Sequence, residues 1–316
     1  MSRPVHFAMA LLLSSLAVSG TVSCGGSSND PDDDGGVDLG PLEDADVDAE
    51  VDAGPVDTGC NNHMELCERR YDEVAYATAH NAHANTADGF SPPNHTNGLT
   101  QQLRDGIRGF MLDTYYDSRF NNQPTLCHGA CVFGRRLLTD GLTELNDFLD
   151  RNPGAVITII FESYISAEDT RGSFEASGLL DRVYAHTAGE PWPTLGELVE
   201  NDTRVVVFTD EGGGTYDWYM DVWEHAWETH YSAETPEDFS CAPNRGDTDN
   251  ALFIFNHFLT APFASMELAE MVNHNPSFLT RVETCQTESD DFANFITVDF
   301  YEIGDVLAVT DTLNGF

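Results

Sequence analysis

The chain has 316 residues, with 54 Asp or Glu against 14 Arg, no Lys, and a formal charge of −40 at pH 7. A surface this acidic excludes nucleic acid as a partner and disfavours electrostatic docking on anionic bilayers. Seven cysteines, six of them beyond residue 59, point instead to an oxidising compartment.

Residues 1–23 read as an export signal. Arg3 opens a short n-region, and the apolar run "FAMALLLSSLAV" covers 12 residues, too short to span a bilayer as a helix. The following "TVSCGGSS" resembles the lipobox of bacterial lipoproteins, with Cys24 as the acylated residue, although Thr21 stands where that pattern has Leu. The expectation is an exported protein, lipid-anchored at the bacterial envelope. The alternative is ordinary secretion with an incidental Cys24.

Residues 24–59 hold twelve Asp or Glu and no basic residue. Such a segment cannot bury enough apolar surface to offset its ordering entropy, so a solvated acidic tether is expected. Its Asp-rich run lacks the spacing of a calcium-binding loop.

One folded domain is therefore expected over 60–316, as a monomer. It carries 42 acids against 13 Arg, a formal −29. Nearness in the chain pairs Cys60 with Cys67 and Cys127 with Cys131, which leaves Cys241 for Cys285. No CxxC pair supports zinc thiolates.

In chain order, "EVAYATA" (73–79) predicts a strand and "GLTQQLRDG" (98–106) a helix stopped by Gly106. "IRGFMLDTYY" predicts a strand with its polar end at Asp113, and "TLCHG" a short strand ending at His128. "GLTELNDFLDRNPG" has Leu142, Leu145, Phe148 and Leu149 at helical spacing. The apolar runs "AVITIIFES" (155–163), "TRVVVFTDE" (203–211), "ALFIFNHF" (251–258) and "NFITVDFYE" (294–302) read as strands buried on both faces, and "GDVLAVTDTLNG" as a closing helix. Trp218, Trp223 and Trp227, with His225 and His230, read as a helical, core-forming stretch.

Strands alternating with helices predict an α/β fold, a single-domain (β/α) TIM-type barrel of seven or eight units, closed or irregular. An open doubly wound sheet would have a Gly-rich phosphate loop after its first strand, and none is present. Barrel active sites gather at the C-terminal strand ends. Here those ends read His80-Asn81, Asp113, His128, Glu162, Asp210-Glu211, His257 and Asp299. Two imidazoles among carboxylates suit proton transfer in both directions, the requirement of phosphodiester cleavage.

The segments "TAHNAHA", "LTQQLRDGIRGFMLDTY", "LCHG", "PGAVITIIFESY" and "FITVDFYEIGDVLAVTDTLNG", in this order over about residues 74–314, resemble the X domain of phosphatidylinositol-specific phospholipase C. The resemblance implies His80 as the base on the inositol 2-hydroxyl, His128 as the acid for the diacylglycerol oxygen, and a cyclic inositol phosphate. Asp299 is the candidate to orient His80. For calcium-dependent relatives it implies Asn81, Asp113 and Glu162 as Ca²⁺ ligands, with Met111 standing where a further acid is usual. Arg108 and His83 are candidate substrate-side residues, each with a structural role as the alternative. A phospholipid is the expected partner. Competing readings are a related phosphodiesterase on another phospholipid or glycerophosphodiester, whose His-Arg-Gly and Glu-x-Asp signatures are missing, or a barrel that binds a head group or glycan without turnover.

Overall fold

The computed structural model describes residues 59–316. The segments expected as export signal and acidic tether, with the candidate lipidation site Cys24, lie outside the described residues, apart from Gly59.

The first strand, β1 (Tyr76–Ala79), runs into a long loop and helix α1 (Leu99–Asp105), which Gly106 stops at φ +109° as its spacing implies. Strand β2 (Gly109–Asp117) returns through β3 (Gln123–Leu126) and the two-residue β4 (Arg136–Leu137) to α2 (Leu138–Arg151). Then come β5 (Ile157–Ser163), α3 (Ala167–Ala176), β6 (Val183–Tyr184), α4 (Leu195–Glu200) and β7 (Val205–Thr209).

From there the pattern loosens. β8 (Tyr219–Asp221), a single turn α5 (Val222–His225) and β9 (Ala226–Thr229) follow without a covering helix, and β10 (Pro243–Arg245) turns back antiparallel on β9. β11 (Leu252–Asn256), α6 (Met266–Val272), α7 (Ser277–Ser289), β12 (Phe295–Val298) and α8 (Val306–Leu313) complete the chain.

The strands form one curled sheet in the order β10-β9-β11-β12-β1-β2-β5-β7, with β6 and β8 both on β7. From β9 to β8 every neighbouring pair is parallel. Among the described residues no pairing joins β8 to β9, so the barrel is irregular and open at that seam rather than closed. Two sequence expectations are corrected with it. The Trp-rich stretch is two strands around one helical turn, because Trp218 and Trp227 are buried in the core and its apolar positions serve the sheet. The strand before His128 is not a barrel stave: β3 pairs antiparallel with β2, which runs on past the barrel mouth as a hairpin.

Strand alternation divides the core in two. Outward residues such as Ile157, Ile159, Phe161, Val205, Val207, Phe253 and Phe255 pack with α2, α3 and α7 through Leu142, Leu145, Phe174, Phe278 and Val282. Inward residues Tyr76, Ile160, Val206, Phe208, Met220, Leu252, Ile254 and Phe295 fill the barrel, plugged from below by Tyr71, Trp192, Leu195 and Leu198. Gly109 belongs to the tight part of this interior, since a Cβ there would lie 2.2 Å from Thr78 Oγ1.

All three disulfides pair as their spacing predicts: Cys60–Cys67, Cys127–Cys131 and Cys241–Cys285.

Candidate active site

The inward parity continues past each strand end and carries the site. On β5, Thr158 and Ile160 lead to Glu162. On β12, Phe295 and Thr297 lead to Asp299, and on β11, Ile254 and Asn256 lead to Phe258. The mouth they surround is a cavity of about 390 Å³, lined among others by His80, Asn81, Asp113, Glu162, Asp210 and Phe258.

His80 follows β1 and keeps its pairing, its N–H donating to Val298 O at 2.9 Å. Its Nδ1 lies 3.0 Å from Asp299 Oδ1. A carboxylate only accepts, so Nδ1 carries a proton, and Nε2 is the ring nitrogen turned toward the Asn81 amide. The ring lies flat on Phe258, 3.9 Å between centroids with an interplanar angle of 9°. Asp299 is held in turn: Asn94 Nδ2 donates to the same Oδ1 at 2.8 Å, and Asn273 Nδ2 to its backbone carbonyl. Buried His95 donates from Nε2 to the His80 carbonyl at 2.7 Å.

Asn81 takes the left-handed conformation, φ +49°, which Asn tolerates better than most side chains. The turn points its amide nitrogen between two imidazoles, 3.1 Å from His80 Nε2 and 3.3 Å from His128 Nε2. His128 arrives on the loop between β3 and β4, exposed to solvent, next to the Cys127–Cys131 link. Desolvation and nearby His80 lower its pKa, while Asp299 and Glu162 oppose the shift.

A carboxylate group occupies the other side. Asp113 and Glu162 are direct neighbours in the β2–β5 register, and Asp210 follows on β7, accepting from Ser163 N–H at 2.8 Å. Burial, then Glu162 and Asp210, push the Asp113 carboxyl well above the usual range. Burial pushes Asp210 up to about 6 against the Ser163 hydrogen bond, with Glu162 adding to the rise. Tyr164 stacks on Tyr115 and donates to Glu162 Oε1 at 2.5 Å.

A family model described as PI-PLC X 1 matches residues 66–314. The chain belongs to the PI-PLC X family. A PI-PLC X domain-containing protein of Arabidopsis thaliana is 29% identical over 278 residues, covering 78% of this chain and 62% of the relative. A PI-PLC X domain-containing protein of Arthroderma benhamiae is 27% identical over 303 residues, 88% of this chain and 96% of the relative. An uncharacterized secreted protein of that fungus is 27% identical, covering 78% of this chain and 61% of its own length. This chain thus matches about three-fifths of the first and last of these relatives. In fold it is similar to a variant of phosphatidylinositol-specific phospholipase C from Staphylococcus aureus, with a TM-score of 0.52 at 13% identity over 77% of this chain and 93% of that one.

Within this PI-PLC X barrel, His80, Asn81, Asp113, Glu162 and Asp299 stand at strand ends around one mouth, and His128 meets Asn81 there from the β3–β4 loop. Two other expectations, Arg108 and His83 as substrate-side residues, are corrected, while His257, at a strand end with no motif behind it, has the structural role expected of it. Arg108 precedes β2 and lies at the opposite end of the barrel. Its guanidinium donates to Asn61 Oδ1 and to the Leu103 and Ile107 carbonyls, beside a separate cavity of about 180 Å³. His83 is fully buried, edge-on to Phe90, and its imidazole is pushed down to about 3, chiefly by burial and then by His128. It packs the loop and cannot touch a substrate. His257 has outward parity, stacking on Phe278 at 3.9 Å with Nε2 donating to Val272 O.

The sequence reading missed Asn94, His95, Phe258, Glu228 and Arg245. Parity was a usable signal for Phe258, which shares the face of Ile254 and Asn256. Asn94 and His95 sit in a loop and have no periodic signal. Arg245 reaches the mouth only through the β9–β10 turn-back. There Gly246, at φ +78°, lets the backbones approach so closely that a Cβ would lie 2.1 Å from Ala226 O.

Proposed function

We propose that the protein is a phosphodiesterase of the phospholipase C type, cleaving a phosphoinositide-type diester through a cyclic inositol phosphate. The observation that carries this reading is the convergence of His80 and His128 on one amide nitrogen, that of Asn81, beside the cavity that His80 and Asn81 line.

His80, neutral and oriented by Asp299, takes the proton from the inositol 2-hydroxyl. The oxygen attacks phosphorus, the diacylglycerol oxygen leaves, and His128 protonates it. An anionic diester seated between the rings displaces the Asn81 contact and favours the imidazolium that His128 needs. Proton transfer by each ring contributes about 10²–10⁴-fold. Asn81 then serves to space the two rings and to donate to a phosphate oxygen.

Asn81, Asp113 and Glu162 offer oxygen donors alone, the chemistry of a hard cation such as Ca²⁺. Asp113 buried among like charges is the feature that fits a cation, because one would relieve that repulsion. Met111 lines the same cavity with a thioether, which adds no donor for such an ion. When bound, Ca²⁺ would offset phosphate charge and lower the hydroxyl pKa.

Three disulfides suit an oxidising compartment, and one relative is described as secreted. Both favour export; the lipid anchor at Cys24 and the phospholipid substrate rest on the lipobox-like sequence and on the family resemblance. The test is release of diacylglycerol from phosphatidylinositol in zwitterionic vesicles. Release by the wild type and none by His128→Ala supports the reading, and no release by a folded wild type refutes it.

A further inference from the structure

The His80–Asp299 pair is held at several points, and each fixes something different. The main chain of His80 is pinned on both sides: its N–H donates to Val298 O at 2.9 Å, and buried His95 donates from Nε2 to its carbonyl at 2.7 Å. The main chain of Asp299 is pinned by Asn273, whose Nδ2 donates to its carbonyl at 2.9 Å. These bonds set where the two strand ends lie. None of them sets the rotation of the Asp299 side chain.

That rotation depends on a residue from outside both strands. Asp299 Oδ1 accepts from His80 Nδ1 at 3.0 Å and from Asn94 Nδ2 at 2.8 Å, while the buried Oδ2 accepts from no protein group among the described residues. Asn94 stands in the loop between β1 and α1 and is buried. Its own main chain is tied on both sides: its N–H donates to Ala84 O at 2.7 Å, and its carbonyl accepts from Phe300 N–H at 2.7 Å. Phe300, directly after Asp299, has φ +45°, a left-handed conformation that a bulky residue keeps only where its surroundings impose it. Asn94 thus grips the carboxylate with its side chain and the turn behind it with its backbone.

We propose that Asn94 is a positioning residue for the base. Its amide fixes the rotation of the Asp299 carboxylate, which keeps Oδ1 on His80 Nδ1 and so sets the aim of Nε2. This assignment rests on the phosphodiesterase reading of the same site. Asn94 does not line the cavity, so it acts through Asp299 and not on the substrate. Without the amide, the carboxylate keeps one protein donor and can turn about it, and the ring follows. A misplacement of about 1 Å at a reacting group costs up to about 10²-fold in rate.

The test is a double-mutant cycle on turnover of phosphatidylinositol in zwitterionic vesicles, with the ring nitrogens of His80 followed by ¹H–¹⁵N NMR. Asn94→Ala keeps both main-chain bonds, so circular dichroism should stay near wild type. Asn94→Ser, whose hydroxyl stops short of the carboxylate, carries the same test if the first variant does not fold. The expected result is a loss of about 10- to 10²-fold in kcat with KM within about twofold of wild type. The loss should vanish when Asn94→Ala is added to Asp299→Ala, because the amide then has nothing to orient. The Nδ1–H signal of His80 should broaden or disappear in Asn94→Ala. Near-normal kcat in the folded variant, or the same loss with and without Asp299, overturns the inference and leaves the phosphodiesterase reading standing. No turnover by the folded wild type refutes that reading, and the NMR comparison then decides the inference: an unmoved Nδ1–H signal overturns it, and a broadened or lost one upholds it.

Discussion

Asp299 reaches His80 across the parallel β12–β1 pair, Oδ1 to Nδ1 at 3.0 Å, while Asn94 donates to the same oxygen. Register sets this contact: Val298 pairs with Ala79, so the next residue of each strand meets at the mouth. The carboxylate fixes one tautomer and leaves Nε2 facing the cavity.

Replacing Asp299 with Asn should therefore reduce kcat by about 10²–10⁴-fold with a much smaller change in KM, because an amide can donate to Nδ1 and select the wrong tautomer. The pH–rate profile of the variant should also lose the limb of the His80 base. A proportionate change in kcat and KM with an unmoved profile would mean that Asp299 is only structural.

His80→Ala and His128→Ala should each lower turnover by at least about 10²-fold while circular dichroism and melting stay near wild type. His128 is exposed and caps a hairpin, so its removal leaves the barrel packing intact. Near-normal activity in either variant removes that residue from the mechanism.

The carboxylate cluster predicts a pH-dependent stability. Burial pushes the Asp210 carboxyl up to about 6 in the folded state, above the usual carboxylate range of about 4, so the folded state holds its proton more tightly. Stability from this group is complete below about pH 4 and falls as pH rises toward 6. Without divalent cations, Asp210→Asn should equal wild type at about pH 4 and exceed it by on the order of 1–2 kcal/mol at about pH 7. Calcium should raise the wild-type melting temperature at neutral pH, and a chelator should depress activity until Ca²⁺ is restored. Denaturant melts at the two pH values, and assays with chelator, check both. Indifference to chelator means that Asp113 and Glu162 hold no essential metal.

Much of this arrangement was legible in the sequence because strand alternation is strict. The apolar runs at 155–163, 251–258 and 294–302 give the staves, and the same parity carries Glu162 and Asp299 inward. Chemistry needs parity and a motif beside it: His257 is as polar as His80 but has no motif behind it and lies on the outward face against Phe278. Arg108 has the right charge, but it precedes its strand and so falls at the wrong end of the barrel. The open seam between β8 and β9 was illegible because Trp218 and Trp227 satisfy a helical spacing and a sheet core equally well.

The two shorter-range disulfides and the long one should behave differently. Cys241–Cys285 closes a 44-residue separation, worth about 4 kcal/mol in the chain-entropy account, whereas Cys127–Cys131 is worth about 2. Cys131→Ser should nevertheless reduce kcat the more, because it frees the turn that carries His128. Paired melts and rate measurements on Cys131→Ser and Cys241→Ser check this. Equal kcat in both variants would show that the small ring does not position the acid.

The most direct measurement is phosphorus NMR of the protein incubated with phosphatidylinositol, with and without Ca²⁺. The account predicts a resonance in the range of five-membered cyclic phosphates, formed by the wild type and absent with His80→Ala. An unchanged spectrum from a folded wild type under both conditions, or the same product from His80→Ala, would contradict it.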